Sequence, residues 1–377
     1  MLRIFLTGDN HIGLKYANHE QKDILISRRI SAFDGMIESA NREGCDLFVI
    51  SGDLFENTCS ISRKDVTDIM DKLADFRGTV AIMPGNHDYY DPEEKLWQYL
   101  ENAIKSHDKI MLLKEYKPYE ISVGDEKVVL YPALCKSKHS ESGENNLGWI
   151  KETEIGQDGA YHIGIAHGAV EGETIDSEGK YFLMKRSELE SIPVDAWLIG
   201  HTHVPFPNYL SEDYTVVREK IFNAGTHVQT DVNCNTEGLC FIIEIDSSKT
   251  IRAKKVVTGN LRFYRKEIAL TAGNMEDILN RELSGIGDDS VVDIALTGAV
   301  SDEEYESRSS IIERALNRFI ESTCDDYALS RLISKGLIES EFPETSLSAQ
   351  LLESLLDNPK EAQLAYEMLT ALKKEGK

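Results

Sequence analysis

Five short clusters of glycine, aspartate, asparagine and histidine occur early in the chain, and each directly follows a stretch typical of a β-strand. Loops that leave the carboxyl ends of neighbouring strands converge at one edge of a sheet. The polar side chains of all five clusters are therefore expected to meet in one place. The clusters are Asp9-Asn10-His11, Gly52-Asp53-Leu54-Phe55, Gly85-Asn86-His87-Asp88, His167-Gly168 and Gly200-His201-Thr202-His203.

These clusters offer oxygen and nitrogen donors without a thiolate, a set that suits Mn²⁺, Zn²⁺ or Fe better than Ca²⁺ or a thiolate zinc site. Seven candidate ligands exceed what one ion normally takes. They suit two ions that share a bridging carboxylate and lie about 3.5–4 Å apart. Alone, the Gly-Asp cluster is more often a turn and His167 is more often a buried histidine, whereas the two histidines of Gly-His-Thr-His have little structural use on a loop and favour a ligand role. The occurrence of all five in order, each after a strand, predicts a dimetal centre.

The surrounding sequence alternates apolar runs with amphipathic helical stretches, which is typical of layered α/β domains. Two blocks rich in strands follow within this frame. The sequence therefore predicts two mixed β-sheets that pack as a sandwich and are flanked by helices. The predicted strands are 2–6, 46–51, 79–83, 110–113, 119–123, 127–131, 161–166, 196–200, 214–217, 238–245 and 251–257.

Beyond about residue 260 the pattern predicts a smaller α/β unit, with strands at 262–270 and 290–296 and a helix at 274–282. Ser301 followed by Glu304 is a capping-box signal for a second helix. The chain is predicted to have a main domain at 1–260, an α/β cap domain at 261–324 and a helical tail at 325–377.

The last predicted helix of the tail carries an apolar stripe. The stripe is expected either to pack on its own domain or to dock onto a partner. It comprises Leu364, Met368, Leu369 and Leu372.

The charge balance is strongly acidic, with 65 Asp and Glu against 41 Lys and Arg and a net charge of −24. Sequence-independent DNA binders usually present a basic surface. A nucleic-acid substrate would thus require metal ions, a local patch or a partner to supply positive charge. Six cysteines without a C-x-x-C motif are expected to be reduced thiols of a cytoplasmic protein. No membrane association is expected, because the apolar runs fall far short of the ~18 residues of a membrane span.

The ordered series Asp-x-His, Gly-Asp, Gly-Asn-His-Asp, His and Gly-His-x-His resembles the calcineurin-like metallophosphoesterase superfamily over residues 1 to about 260. The forms "GDLF", "GNHD" and "GHTH", with the following cap, are most similar to the SbcD-like branch of meiotic-recombination and double-strand-break repair nucleases. The resemblance implies that Asp9, His11 and His203 hold one metal, that Asn86, His167 and His201 hold the other, and that Asp53 bridges them. It also implies that His87 protonates the leaving oxygen or steadies phosphoryl charge, and that Asp88 orients His87.

The resemblance further implies an Mn²⁺-dependent dimetal phosphodiesterase that acts as a DNA exonuclease and endonuclease subunit in double-strand-break repair. The reaction would be an in-line attack of water on phosphorus. An SbcC-type coiled-coil ATPase would be the partner and would contribute DNA affinity, with the cap domain contacting DNA. The tail would be the segment that docks onto this ATPase, and the helices predicted at 61–76 and 92–106 would form a homodimer face.

One position departs from the pattern of this branch. SbcD-like nucleases usually carry a second catalytic histidine three residues after the bridging aspartate, whereas this chain has Glu56. Purple acid phosphatases have an iron-binding tyrosine there, so Glu56 also argues against them. A carboxylate cannot donate a hydrogen bond to a phosphate as an imidazolium can. Glu56 is expected either to contact a metal ligand without binding the metal, or to shift the balance of exonuclease and endonuclease activity.

Two other functions remain open from the sequence. The acidic charge and Glu56 favour a stand-alone phosphodiesterase that acts on cyclic nucleotides or other small phosphoesters. The cap and the tail disfavour it, since a small substrate has little need of them. A non-enzymatic scaffold is disfavoured because the ligand set is complete.

Overall fold

The computed structural model describes residues 1–124, 126–140, 144–156, 159–172 and 181–375. The chain divides into two units, Met1–Arg262 and Phe263–Lys377. No helix in the described ranges is both long and apolar enough to cross a lipid bilayer. All six cysteines are free.

The first unit contains two β-sheets, whose strands alternate with helices along the first part of the chain. The strands are β1 (Leu2–Thr7), β2 (Leu47–Ile50), β3 (Thr79–Ile82), β4 (Ile110–Leu112), β5 (Tyr119–Val123), β6 (Glu126–Ala133), β7 (Tyr161–His167), β8 (Ala196–Gly200), β9 (Thr215–Val217), β10 (Ile221–Asn223), β11 (Leu239–Ile245) and β12 (Ile251–Val257). The helices are α1 (Lys22–Arg42), α2 (Arg63–Ala74), α3 (Lys95–Ala103), α4 (Gly148–Glu152) and α5 (Arg186–Ser191), with a 3-10 turn at Ile104–Ser106 after α3.

One sheet has seven strands in the order β4-β3-β2-β1-β11-β12-β9, and the other has five in the order β10-β8-β7-β6-β5. Strands β1 to β4 run parallel to one another, whereas β11 pairs antiparallel with β1. In the second sheet β6, β7, β8 and β10 are parallel and β5 is antiparallel. Both sheets are therefore mixed.

The two sheets pack face to face over a fully apolar layer that includes Leu6, Val49, Ile163 and Leu198. Helices α1, α2 and α3 cover the outer face of the seven-stranded sheet, with Phe33, Val66 and Trp97 in that core cluster. Residues of α4 and α5 pack on the outer face of the five-stranded sheet. Strands such as β2 are buried along their whole length because both of their faces meet apolar layers. The predicted sandwich of two mixed sheets flanked by helices is confirmed.

The second unit is a three-stranded sheet in the order β13-β14-β15, followed by helices. Residues of α6 and α7 share one apolar core cluster with the sheet. Helices α8, α9 and α10 enclose a further cluster around Ile338, Leu352 and Tyr366. The elements are β13 (Arg262–Thr271), α6 (Met275–Leu283), β14 (Ser290–Val300), α7 (Asp302–Leu316), β15 (Glu321–Arg331), α8 (Lys335–Glu341), α9 (Leu347–Ser354) and α10 (Pro359–Glu375).

The prediction that the chain is helical from about residue 325 was wrong, because β15 continues to Arg331 and the helices begin at Lys335. Strand β15 pairs in parallel with β14 from Val291↔Glu321 onward. Its sequence, ESTCDDYALSR, is polar and lacks the apolar alternation that marks a half-buried strand. Its pairing is therefore decided by β14 rather than by its own pattern.

Candidate metal centre

The predicted ligands lie at the carboxyl ends of strands from both sheets of the first unit. Asp9, Asp53 and Asn86 follow β1, β2 and β3 of the seven-stranded sheet. His167 is the last residue of β7, and the His201–His203 segment follows β8 of the five-stranded sheet. Because these strands run parallel, their carboxyl ends meet at the same edge of the sandwich. The structure thus brings all seven predicted ligands together.

The first group of donors consists of Asp9, His11 and His203, whose ligand atoms lie within 4.8 Å of one another. The Nε2 atoms of His11 and His203 are 2.9 Å apart. Where each ring carries its proton on Nδ1, both Nε2 lone pairs face this gap, and a shared cation would satisfy them. This is the group expected to hold one metal.

The second group consists of Asp53, His167 and His201, and Asn86 lies between the two histidines. The Oδ1 atom of Asn86 lies 3.0 Å from His167 Nε2 and 3.0 Å from His201 Nδ1. Asp53 reaches both groups, because its Oδ2 is 3.2 Å from His167 Nε2 and 3.9 Å from His11 Nε2. This places Asp53 in the position expected of a bridging carboxylate.

The main chain at several of these ligands adopts a conformation that L-residues rarely take. Non-glycine residues with positive φ cost free energy and persist where the surrounding structure enforces them, often at functional sites. Two main-chain hydrogen bonds join the strained loops, Asp9 N to Gly52 O at 3.1 Å and His11 N to Asp53 O at 2.9 Å. The positive φ angles are those of Asp9 (49°), His11 (46°), Asp53 (52°), His201 (117°) and His203 (54°).

Two glycines allow the loops to approach this closely. A Cβ atom on Gly52, whose φ is +101°, would lie 2.2 Å from His167 Nδ1. A Cβ atom on Gly85 would lie 2.2 Å from Asp53 Oδ1. Both distances are far inside van der Waals contact. The glycines of the Gly-Asp and Gly-Asn-His-Asp motifs are therefore required by the packing of the ligands themselves.

The structure places Asp88 under the bridging loop. Its Oδ1 accepts hydrogen bonds from the main-chain N–H groups of Asp53 (3.2 Å) and Gly85 (2.7 Å), and its Oδ2 accepts one from Phe55 (3.1 Å). Among the described residues, these amides, and not the ring of His87, are the contacts of its carboxylate. Asp88 was expected to orient His87, but its geometry supports the main chain around Asp53 instead.

The ring of His87 is held by Glu56. Its Nδ1 lies 3.0 Å from the main-chain oxygen of Glu56, and a carbonyl can only accept, so Nδ1 is the donor. The Glu56 carboxylate lies 3.7 Å from the same nitrogen and 2.9 Å from Nδ1 of His11. The contact with His11 is off the N–H direction, so it is an ion-pair contact rather than a linear hydrogen bond. Glu56 therefore touches a predicted metal ligand and the predicted acid.

The electrostatics divide the histidines of the cluster into two kinds. Burial acts to lower the pKa of His167 and of His11, but attraction to Asp53 raises that of His167 to about 9, and the contact with Glu56 raises that of His11. Burial opposes ionisation of Asp53, but attraction to His167 outweighs it and holds the pKa of Asp53 well below its ordinary value. Burial and the charge of His167 lower the pKa of His201 to about 4, and burial lowers the pKa of His203. Metal binding requires ionised carboxylates and neutral imidazoles. Divalent ions would replace the protons that Asp53 and Glu56 attract to His167 and His11, so the donor set fits a pair of such ions.

A cleft of about 390 Å³ opens beside the first group of donors. It is lined by His11, His203, Glu56 and His87 and by residues of the loop from Leu14 to His19. The side chain of His87 is 30% exposed, whereas that of His167 is fully buried. The cleft thus gives access to the predicted acid and to one side of the donor cluster.

Sequence reasoning missed Arg29, which is buried behind the loop that carries Asp9 and His11. A signal was available, because Arg29 falls four residues after Leu25 and four before Phe33 on the buried face of α1. A charge on an otherwise apolar helical face indicates a specific internal partner.

A model of the family described as "Calcineurin-like phosphoesterase" matches residues 2–205, more than half of the chain. Two solved structures that resemble this chain are TT1561 of Thermus thermophilus and a dimetal phosphatase from Danio rerio, LOC 393393. The first is 11% identical with a TM-score of 0.42 and covers 67% of this chain and 97% of its own. The second is 10% identical with a TM-score of 0.35 and covers 68% of this chain and 98% of its own. On the family match, and with this ligand cluster at the ends of its strands, the chain belongs to the calcineurin-like phosphoesterase family.

Proposed function

We propose that this chain is a phosphodiesterase that uses two divalent metal ions to cleave DNA, as the nuclease subunit of a double-strand-break repair assembly. Membership of the family makes it a metallophosphoesterase, a hydrolase whose residue clusters fit a dimetal site. The observation that carries the proposal is the pair of donor groups joined by Asp53, with His87 exposed to the adjoining cleft. Cleavage of a phosphodiester requires charge stabilisation and a proton for the leaving oxygen, and this cluster offers both.

Asp9, His11 and His203 would hold one ion, Asn86, His167 and His201 the other, and Asp53 both. The all-oxygen-and-nitrogen donor set supports Mn²⁺ as the ion used. Bound ions would supply Lewis-acid stabilisation of the charge on the phosphoryl group.

The chain's own residues would position the substrate and move the proton. His87 donates from Nδ1 to the carbonyl of Glu56, which fixes the plane of its ring. Its Nε2 is then the atom that would give a proton to the leaving oxygen. Asp88 would keep the main chain of Asp53 in place through its contacts with three amides.

The surface of α10 supports an interaction with a partner protein. Its buried side packs on its own unit through Ala362, Tyr366 and the partly buried Leu369. Leu364, Met368 and Leu372 lie on another side and are 60%, 60% and 63% exposed. One face of α10 thus packs on its own unit, as the first alternative expected, and the other face is free to dock onto a partner, as the second expected. We propose that the exposed face docks onto an SbcC-type coiled-coil ATPase, which would supply the DNA affinity that the net charge of −24 does not.

Two further assignments belong to the same proposal. Helices α2 and α3 lie side by side on the outside of the seven-stranded sheet and would form the face of a homodimer. The protein would act in the cytoplasm, where the reducing environment keeps thiols free, and its free cysteines support this location.

The test is cleavage of end-labelled linear duplex DNA and of circular single-stranded DNA by the purified chain with Mn²⁺, alone and with the ATPase. We expect cleavage that the ATPase increases and that a chelator abolishes. The Glu56→His variant tests whether Glu56 sets the ratio of exonuclease to endonuclease products. Absence of DNA cleavage in both settings, with a metal-loaded chain, would refute the nuclease assignment.

The second candidate is a phosphodiesterase for cyclic nucleotides or other small phosphoesters. The acidic net charge and Glu56 at the cleft favour it. Hydrolysis of cyclic nucleotides by a chain that leaves DNA intact would establish this alternative.

A further inference from the structure

Arg29 is the only lysine or arginine that is buried in the described part of the chain, with a relative exposure of 1%. Arginine is rarely buried without a paired carboxylate, because its charge loses the solvation of water. It belongs to α1, which packs on the seven-stranded sheet beneath the loop that carries Asp9 and His11.

Five acceptors surround the guanidinium, one for each of its five N–H groups. Nε donates to Asn10 O at 2.6 Å, and Nη2 donates to Asp9 O at 3.4 Å and to Thr226 Oγ1 at 3.1 Å. Nη1 donates to Val228 O at 3.1 Å and to Tyr16 Oη at 3.4 Å. Three acceptors are main-chain carbonyls and two are hydroxyls. No carboxylate of the described residues forms an ion pair with it.

These acceptors come from segments far apart in the chain. Asp9, Asn10 and Tyr16 belong to the loop after β1, whereas Thr226 and Val228 belong to the segment after β10. The Thr226 hydroxyl also contacts Asp9 O at 2.9 Å, so one carbonyl is held from two sides. Arg29 thus joins the two segments next to Asp9, the predicted ligand that directly follows β1.

The main chain at this point is the strained part of the first donor group. Asp9 and His11 both have positive φ, and Asn10, whose carbonyl makes the shortest contact with Arg29, lies between them. The Asp9 carboxylate in turn accepts the main-chain N–H of His201 at 2.8 and 3.0 Å. A shift of the Asp9 backbone would therefore move a ligand of the first group directly, and would reach the second group only indirectly, through the His201 N–H.

We propose that Arg29 is a positioning residue for the first metal, holding the Asp9–His11 loop in the strained conformation that directs Asp9 and His11 toward His203. An apolar side chain of similar length would fill the same space without losing solvation, but it would remove the donor to Asn10 O. It would also leave the single Thr226 hydroxyl proton to serve both Asp9 O and Val228 O. Arg29 touches none of the reacting atoms, so it would act only through the loop. The inference rests on the proposed dimetal function.

The test measures metal binding rather than turnover. The full chain is stripped with chelator and titrated with Mn²⁺ by calorimetry, and electron paramagnetic resonance distinguishes a coupled Mn²⁺ pair from a single ion. We expect the wild-type chain to bind two ions and to show the coupled signal. Arg29→Met should weaken one of the two binding steps at least tenfold and replace the coupled signal with that of an isolated ion.

Two variants make the result decisive. Arg29→Lys keeps the charge but not the five-donor fork, and it should show the same selective loss to a smaller degree, so it carries the test if Arg29→Met does not fold. Arg42→Met removes an exposed arginine from the last turn of the same helix and should bind as the wild type does.

Folded Arg29 variants that bind both ions with affinities within twofold of wild type would overturn the proposal, as would an equal weakening of both steps. The nuclease assignment fails separately. A wild-type chain that binds two ions and cleaves no phosphodiester would contradict that assignment, while a selective loss in the Arg29 variants would still support the positioning role.

Discussion

The carboxylate of Glu56 lies 2.9 Å from Nδ1 of His11, while Nε2 of the same ring faces His203. A carboxylate on this side favours the proton on Nδ1 and leaves the Nε2 lone pair directed at the donor cluster. Hydrogen bonds from the second ring nitrogen to a carboxylate orient metal-binding histidines, and their loss typically costs about 10–100-fold in metal affinity. The Glu56 contact is bent, so its loss should cost about tenfold, the lower end of that range. Glu56 therefore contacts a predicted metal ligand. It does not take the role of the second catalytic histidine that SbcD-like nucleases usually carry at this position.

Glu56→Ala is accordingly expected to weaken one Mn²⁺ binding step by about tenfold. Glu56→Gln, which keeps an acceptor oxygen, should lose less. Calorimetric titration of the chelator-treated chain measures both, with exposed Glu38→Ala of α1 as the control. Unchanged Mn²⁺ affinity in folded Glu56→Ala would show that the contact does not support the ligand.

His87→Gln is expected to lower the rate of DNA cleavage by about 10²–10⁴-fold, the usual contribution of a general acid. The effect should depend on the leaving group. Bis-p-nitrophenyl phosphate releases a phenolate that needs no proton, so its hydrolysis should fall much less. Comparing kcat for the two substrates checks this, with Mn²⁺ stoichiometry measured in parallel. An equal loss on both substrates would assign His87 to charge stabilisation instead.

Gly85→Ala is expected to disrupt the site, because the new Cβ would lie 2.2 Å from Asp53 Oδ1 and 2.4 Å from its main-chain nitrogen. Gly35→Ala is the matched control. Gly35 lies inside α1 with nothing within 4 Å of its Cβ position, so alanine should stabilise the chain by about 0.5–1 kcal/mol. Thermal stability should fall in Gly85→Ala and rise slightly in Gly35→Ala, whereas Mn²⁺ binding should be lost in Gly85→Ala and unchanged in Gly35→Ala. Normal Mn²⁺ binding by Gly85→Ala would contradict the packing argument.

Glu304 predicts how the second unit responds to acid. Its carboxylate accepts main-chain N–H groups of Gly273, Met275 and Ser301 at 2.8–2.9 Å. Burial acts to raise the pKa of Glu304, but these hydrogen bonds outweigh it and lower the pKa below its ordinary 4.5. A lowered folded-state pKa stabilises the fold above pH 4.5, and this contribution is lost as the pH falls through the folded value.

The Glu304→Gln variant should therefore be less stable than wild type at neutral pH, and the difference should shrink as the pH falls below 4.5. Denaturant unfolding across this pH range measures it, with exposed Glu303→Gln as the control. A difference that stays constant with pH would contradict the assigned role.

Substituting Leu364 and Met368 by serine tests the exposed face of α10. Both side chains are 60% exposed, so the free energy of unfolding should change by no more than about 0.5 kcal/mol. Binding to the ATPase should be lost, because an apolar contact would be removed from the proposed interface. Pull-down and thermal unfolding provide the two measurements. Full ATPase binding by the double variant would place the interface elsewhere.

Much of the fold follows from local pattern. The structure has strands at Tyr119–Val123, Ala196–Gly200 and Ile251–Val257 with the predicted bounds. The capping box that begins α7 is also present, with the Ser301 hydroxyl accepting from Glu304 N. Strand β15 could not be predicted in this way, because its polar sequence becomes a strand only beside β14.

The amino-acid sequence by itself determined the chemistry of the site, because the donor types and their order after successive strands require no knowledge of contacts. Only the tertiary structure decided which donors face one another, and that Asp88 holds amides while Glu56 meets His11. It also decided that Arg29 joins Asn10 to Val228. These contacts connect positions up to 199 residues apart. No local periodicity of the sequence encodes contacts between such distant positions. These contacts form only when the two sheets pack and bring the ends of their strands to one edge.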